Sequence, residues 1–176
     1  MAVLILVGLA RSGKDTAADY IAEKYGYSKY TFSSVLRETL EEKGINPTKE
    51  RMLELGDMLR GLMGMDAIAK LLDKKINKKD NLVLVGPRSI EEVQYFRKKY
   101  PELKVIRVVA GKAQRFARRS ERDPKEEEGF FSRDERDVKT KGMQKVLDEA
   151  QLQINNFGSI EELYRETDSV MKVALG

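Results

Sequence analysis

The 176 residues of this chain predict an α/β fold, a three-layer αβα sandwich around a five-stranded parallel sheet. Short apolar runs alternate with segments of helical periodicity along the whole sequence, the pattern of a parallel sheet covered on both faces. The first apolar run opens directly into GLARSGKDT, residues 8–16, and then into a helical pattern. Strand, glycine-bounded turn and helix is the context in which a G-x-x-x-x-G-K sequence cradles phosphate. A chain of this length holds one full core, so we expect a single domain spanning residues 1–176.

Residues 2–7 read as the first strand, and Ala17, Ala18, Ile21, Ala22 and Tyr25 give the following helix its apolar spacing. Residues 27–32 predict a short strand and 34–43 a helix closed by Gly44. Pro47 and Thr48 open another helix, with Met52, Leu55, Leu59 and Leu62 on one face, and residues 66–76 continue helically after Gly64. Residues 82–85 form a strand of buried type, ended by Gly86 and Pro87. Ser89 with Glu92, Ser132 with Glu135 and Ser159 with Glu162 have capping-box spacing, so each marks a helix start. Residues 103–109 read as a strand and 113–122 as a basic helix. Residues 123–131, with Pro124 and Gly129, predict a mobile loop. One long helix over 132–149, a last strand over 152–155 and a closing helix from Ile160 complete the chain.

Composition narrows the chemistry. The sequence has no cysteine and no histidine, which removes disulfides, thiolate catalysis, histidine bases and histidine metal sites. Carboxylates, lysine, arginine, hydroxyls and backbone remain, the toolkit of phosphoryl transfer. A net charge of +4 argues against nucleic-acid binding by the chain as a whole. The apolar start lacks a basic segment and runs straight into the glycine turn, unlike a secretory signal. No run approaches the ~20 apolar residues of a membrane span, so a cytoplasmic protein with no membrane partner is expected.

Gly8, Leu9, Ala10, Arg11, Ser12, Gly13, Lys14, Asp15 and Thr16 are the candidate nucleotide-binding segment. Gly8 and Gly13 allow the tight turn that points successive N–H groups and the helix N-terminus at one anion. Lys14 would reach the terminal phosphates of a nucleoside triphosphate. Asp15 stands where the pattern has Ser or Thr, the usual magnesium ligand, and its carboxylate is also a hard oxygen donor. Asp15 and Thr16 are therefore the candidate metal ligands; the alternative is that Asp15 only complements the helix dipole.

The order of phosphate loop, SSVLRE (33–38), GPRS (86–89) and an arginine-rich segment resembles the nucleoside monophosphate kinases of the adenylate kinase type. More closely, residues 44–70, GINPTKERMLELGDMLRGLMGMDAIAK, and GSIEEL (158–163) resemble an archaeal group described as adenylate kinase-related. GLARSGKDT also resembles phage deoxynucleoside monophosphate kinases. The resemblance covers nearly the whole chain. It implies a P-loop kinase type fold with a helical acceptor-binding region at about 33–76 and a small lid at about 119–133. It further implies ATP and Mg²⁺ as cofactors, and ATP-dependent phosphoryl transfer to a nucleoside monophosphate.

By matched position, Ser33, Arg37 and Arg88 would hold the acceptor phosphate, with Arg60 as a weaker candidate. Lys14, Arg88, Arg122 and Arg136 form the implied catalytic set, and Arg118 joins the donor site. Arg115, Arg118, Arg119 and Arg122 are spaced to share one helix face, part of it simply solvated, and Arg133 is the alternative to Arg136 after the loop. Asn156 and Gly158 match the turn that lies against the donor base in relatives, or form a plain turn capped by Ser159. One position departs from the pattern: relatives carry Asp before the glycine of the third-strand motif, where this chain has Val85. Either Asp15 carries the metal, turnover is slow, or the reaction differs. The rival readings are a slow P-loop ATPase acting as an assembly or RNA-associated factor, and another small-molecule kinase, such as one acting on dephospho-coenzyme A. The N-K-x-D sequence at residues 77–80 precedes the third strand, the wrong place for guanine recognition.

Overall fold

A computed structural model describes residues 1–121 and 123–176, apart from the side chains of Asp137, Thr140 and Lys141. The elements run β1 (Val3–Val7), α1 (Lys14–Tyr25), β2 (Ser28–Thr31), α2 (Phe32–Glu42), α3 (Lys49–Met63), α4 (Ala67–Asp73) and β3 (Leu82–Val85). They continue with α5 (Ile90–Lys99), β4 (Lys104–Val109), α6 (Lys112–Ala117), α7 (Glu127–Lys141), α8 (Met143–Asp148), β5 (Leu152–Asn155) and α9 (Ile160–Leu175). The five strands are all parallel, in the order β2-β3-β1-β4-β5. The expected three-layer α/β architecture is the observed one.

Strand periodicity explains the two covering layers. Alternate residues leave a strand on opposite faces. Val3, Ile5 and Val7 join Leu82, Leu84 and Val105 in a core closed by α2, α4, α5 and α8. Leu4 and Leu6 join Val83, Val85, Ile106 and Val108 against α1 and α9. Both faces are dry, so the strands read as continuous apolar runs. β1 lies between β3 and β4, which places the turn after it at the crevice where open α/β sheets bind ligands. Among the described residues, no helix is long and apolar enough to cross a membrane.

The second half departs from several expectations. The basic helix ends at Ala117: Arg118 is its cap, at ψ 5°, and the Arg119 amide reaches back only three residues, to the Phe116 carbonyl at 3.2 Å. Arg118 and Arg119 thus lie beyond the helix and do not share a face with Arg115. The expected mobile loop instead contains the first turn of α7 and a buried Asp123. Ser132 starts no helix: it lies inside α7 and its hydroxyl donates back to the Gly129 carbonyl at 3.0 Å. The long helix over 132–149 is interrupted at Gly142, which takes φ +65° between α7 and α8. Leu62 leaves the apolar face expected of α3 and is 76% exposed.

Candidate active site

The turn after β1 is shaped by contacts that tolerate no side chain at its two glycines. A Cβ on Gly8 would lie 2.7 Å from the Val108 carbonyl of β4. Gly13 takes φ +96°, and a Cβ there would lie 2.2 Å from the Asn156 amide nitrogen. That amide donates to the Ser12 carbonyl at 2.8 Å, while the Asn156 backbone N–H donates to Val109 at 2.7 Å. The turn after β5 therefore pins the loop from behind. Arg115 holds the other side: it donates to the Ala10 carbonyl at 3.1 Å and pairs with Asp134 at 2.7 Å. Arg11 is held at φ +63°, a conformation that a non-glycine residue keeps only where its surroundings fix it.

Above the loop lies an open cavity of about 690 Å³. Among the described residues, eight cationic side chains line it against the three carboxylates of Asp15, Asp123 and Asp134. Lys14 sits at its floor with 17% of the side chain exposed. Desolvation lowers its pKa; Asp15, at 3.8 Å, opposes this, and Arg88, Arg133 and Arg11 lower it further. A lysine in that field gains from an incoming anion. Ser33 and Arg37 reach the cavity from α2, Arg60 from α3, and Arg88 from the turn after β3.

Glu92 organises a second group of cavity residues around Arg60 and Arg88. Its side chain is fully buried and its Oε1 accepts from Arg60 Nη2 at 2.7 Å and Nε at 3.2 Å. Its Oε2 accepts from the Arg88 backbone N–H at 2.7 Å. The Ser89 hydroxyl caps α5 through the Glu92 amide, but the carboxylate does not return the bond as a capping box would; it is committed to Arg88 and Arg60. The capping box at Ser159 and Glu162 is complete.

Gly8, Leu9, Ala10, Arg11, Gly13, Lys14, Asp15, Thr16, Ser33, Arg37, Arg88 and Arg118 line the cavity. Ser12 is buried beneath the loop. Asn156 is buried too, and Gly158 lies at the start of α9, where a Cβ would strike Glu162. Neither is among the described lining residues. Arg136 is exposed one turn beyond the cavity on α7, whereas Arg133 lines it. Arg122 lies outside the described residues. Arg60, the weaker acceptor candidate, lines the cavity, whereas Asp123, Lys49 and the burial of Glu92 against Arg60 were not foreseen. The only local signal for Asp123 is an aspartate standing directly between an arginine-rich segment and a proline.

Asp15 and Thr16 together suit a magnesium ion. Both line the cavity beside Lys14, and the Asp15 side chain is 61% exposed. Mg²⁺ is commonly held by one or two hard oxygens plus water and substrate phosphates. Val85 lines the same cavity and adds no oxygen. Among the described residues, no group of three or more acidic side chains is placed to hold a metal by itself.

Residues 7–136 match the AAA domain family. A UPF0200 protein of Methanoregula boonei is 34% identical over 177 residues, covering 97% of this chain and 96% of its own. Among solved structures, shikimate kinase from Bacteroides thetaiotaomicron superposes with a TM-score of 0.66 at 13% identity, over 99% of both chains. A gluconokinase from Sinorhizobium meliloti 1021 gives 0.53 at 15% identity, over 99% of this chain and 94% of that one. At such identities the likeness concerns architecture alone: the fold is that of the P-loop kinases. By its relatives and its matched domain, the chain belongs to the UPF0200 family.

Proposed function

We propose that this protein transfers the terminal phosphoryl group of ATP to a nucleoside monophosphate. One observation carries the reading: a single cavity joins the Lys14 loop to a second set of guanidinium groups from Arg37, Arg60 and Arg88. Two anions held across one cavity are positioned for in-line transfer, and positioning with electrostatic stabilisation is most of what such catalysis requires. The loop amides and Lys14 would hold the donor phosphates; Ser33, Arg37 and Arg88 would hold the acceptor phosphate. Arg118 lies at the donor side, with Arg122 and Arg136 as further lid arginines and the Asn156–Gly158 turn beside the donor base. Asp15 and Thr16 would hold Mg²⁺, which when bound neutralises charge on the phosphate oxygens. Residues 1–176 then act as one kinase domain, with acceptor helices and lid as subregions.

Arg88→Ala tests the assignment. Removing one partner of a desolvated charge pair should raise the apparent KM for a monophosphate by about 2–4 kcal/mol, with binding of the triphosphate little changed. Equal weakening of donor and acceptor would overturn it.

A second reading rests on Val85. This apolar side chain at the end of β3 cannot orient a metal-bound water, which favours a slow P-loop ATPase acting as an assembly or RNA-associated factor. The likeness to shikimate kinase and a gluconokinase also keeps another small-molecule acceptor in view, dephospho-coenzyme A included. Acceptor dependence separates these readings.

A further inference from the structure

Asp123 is a fully buried carboxylate in the wall of the cavity, and it gathers cations from three separate elements. Arg11, from the phosphate loop, donates through Nε at 2.7 Å and approaches through Nη2 at 2.5 Å. Arg133, from α7, donates through Nη1 at 2.9 Å. Lys49, the first residue of α3, pairs with Oδ1 as Arg133 does, and the Ser120 amide donates at 2.9 Å to Oδ2, the oxygen that Arg11 holds. Burial alone would raise the carboxyl pKa; the hydrogen bonds from Lys49, Ser120, Arg133 and Arg11 outweigh it and hold the group far below the usual range. The donor loop, the acceptor helices and the lid segment thus meet at one charged atom group.

The geometry also leaves something over. Arg133 spends only Nη1 on Asp123; its Nε and Nη2 are buried without a hydrogen-bond partner among the described residues. Arg133 lines the cavity, lies over the Phe130 ring at 4.9 Å and keeps two unspent, desolvated donors, so an anion that reaches it meets a guanidinium with hydrogen bonds still to give. Arg11, at φ +63°, is tied to the same carboxylate.

We propose that Asp123 is a positioning residue: it latches the lid segment onto the phosphate loop and α3, and aims Arg133 at the phosphoryl group in transit. This rests on the phosphoryl-transfer reading above. Because the same carboxylate also holds Lys49, a triphosphate that engages Arg11 and Arg133 is felt at the start of the acceptor region.

The test is Asp123→Asn, which keeps the shape and removes the charge. Three measurements are compared with wild type: affinity for a non-hydrolysable ATP analogue, proteolysis of residues 119–133 with and without that analogue, and steady-state turnover. The expected result is an analogue affinity lowered far less than kcat, since binding and latching are coupled, loss of the analogue-induced protection of the lid, and a kcat lowered about 100-fold, as for misplaced catalytic groups. Retained protection with a wild-type kcat overturns the proposal, as does an affinity loss as large as the kcat loss. Lys49→Met removes one arm of the latch at a half-exposed position and decides the matter if Asp123→Asn does not fold. Loss of analogue-induced protection in Lys49→Met supports the latch, and full protection overturns it. If wild type shows no acceptor-stimulated turnover, the kinase reading fails, while affinity and proteolysis still decide the role of Asp123.

Discussion

Cutting the Arg60–Glu92 pair separates what it does for the fold from what it does for the site. The two side chains are 7% and 0% exposed, and Asp57, 4.0 Å from Arg60 but 61% exposed, is too solvated to replace Glu92. Glu92→Leu strands a buried guanidinium, a change that destabilises by about 3–5 kcal/mol. It also deprives the Arg88 amide of its acceptor. For a domain of this size each kcal/mol moves Tm by about 2–4 °C, so a fall of roughly 6–20 °C is expected. Adding Arg60→Met removes the stranded charge, and a well-packed apolar pair should return to within about 1–2 kcal/mol of wild type. Acceptor affinity should not return, because Arg60 lines the cavity. Urea denaturation of wild type, both single variants and the double variant gives the coupling directly. A Glu92→Leu cost below about 1 kcal/mol, or a double variant carrying the sum of the single costs, would refute the reasoning.

Lys14→Ala should fold normally and lose ATP turnover, as read by circular dichroism and a coupled assay; turnover in a folded variant would remove the loop as the active centre. Because the pKa of Lys14 is lowered from 10.5, triphosphate affinity should fall as pH rises through a window below that value, with proton uptake on binding. In the same window the unfolded chain binds more protons than the folded one, so the contribution of Lys14 to stability rises with pH. Calorimetry in buffers of different ionisation enthalpy measures the uptake, and an affinity independent of pH up to the ordinary lysine range would contradict it. Asp15→Asn should raise the Mg²⁺ concentration giving half-maximal activity, and an unchanged magnesium titration would dismiss the carboxylate as a ligand.

Much of the phosphate-loop half was legible because it is local. Gly8, Gly13 and Lys14 declare a strand–turn–helix within nine residues, and Leu82–Val85 and Leu152–Asn155 are strands where apolar runs meet turn residues. The capping signals at Ser89 and Ser159 mark helix starts correctly, since each Oγ accepts an amide three residues on. The arginine-rich segment after β4 was less legible. Its arginines suggested one basic helix, but Arg115 turns inward to Asp134 and Ala10, partners 19 residues later and 105 earlier. Asp123 was lost in an acidic, proline-containing stretch, because what orders it arrives from Arg11 and Lys49, 112 and 74 residues away. Ser132 and Glu135 had the right spacing, yet α7 had already begun at Glu127. Short-range patterns predict elements; partners distant in sequence decide which polar residues become a site.

The most direct measurement follows labelled phosphate from γ-labelled ATP, with and without a panel of ribo- and deoxyribonucleoside monophosphates. Label should appear in a nucleoside diphosphate, formed only with an acceptor present and lost in Lys14→Ala. Label appearing solely as inorganic phosphate, at a rate indifferent to every monophosphate, would contradict it.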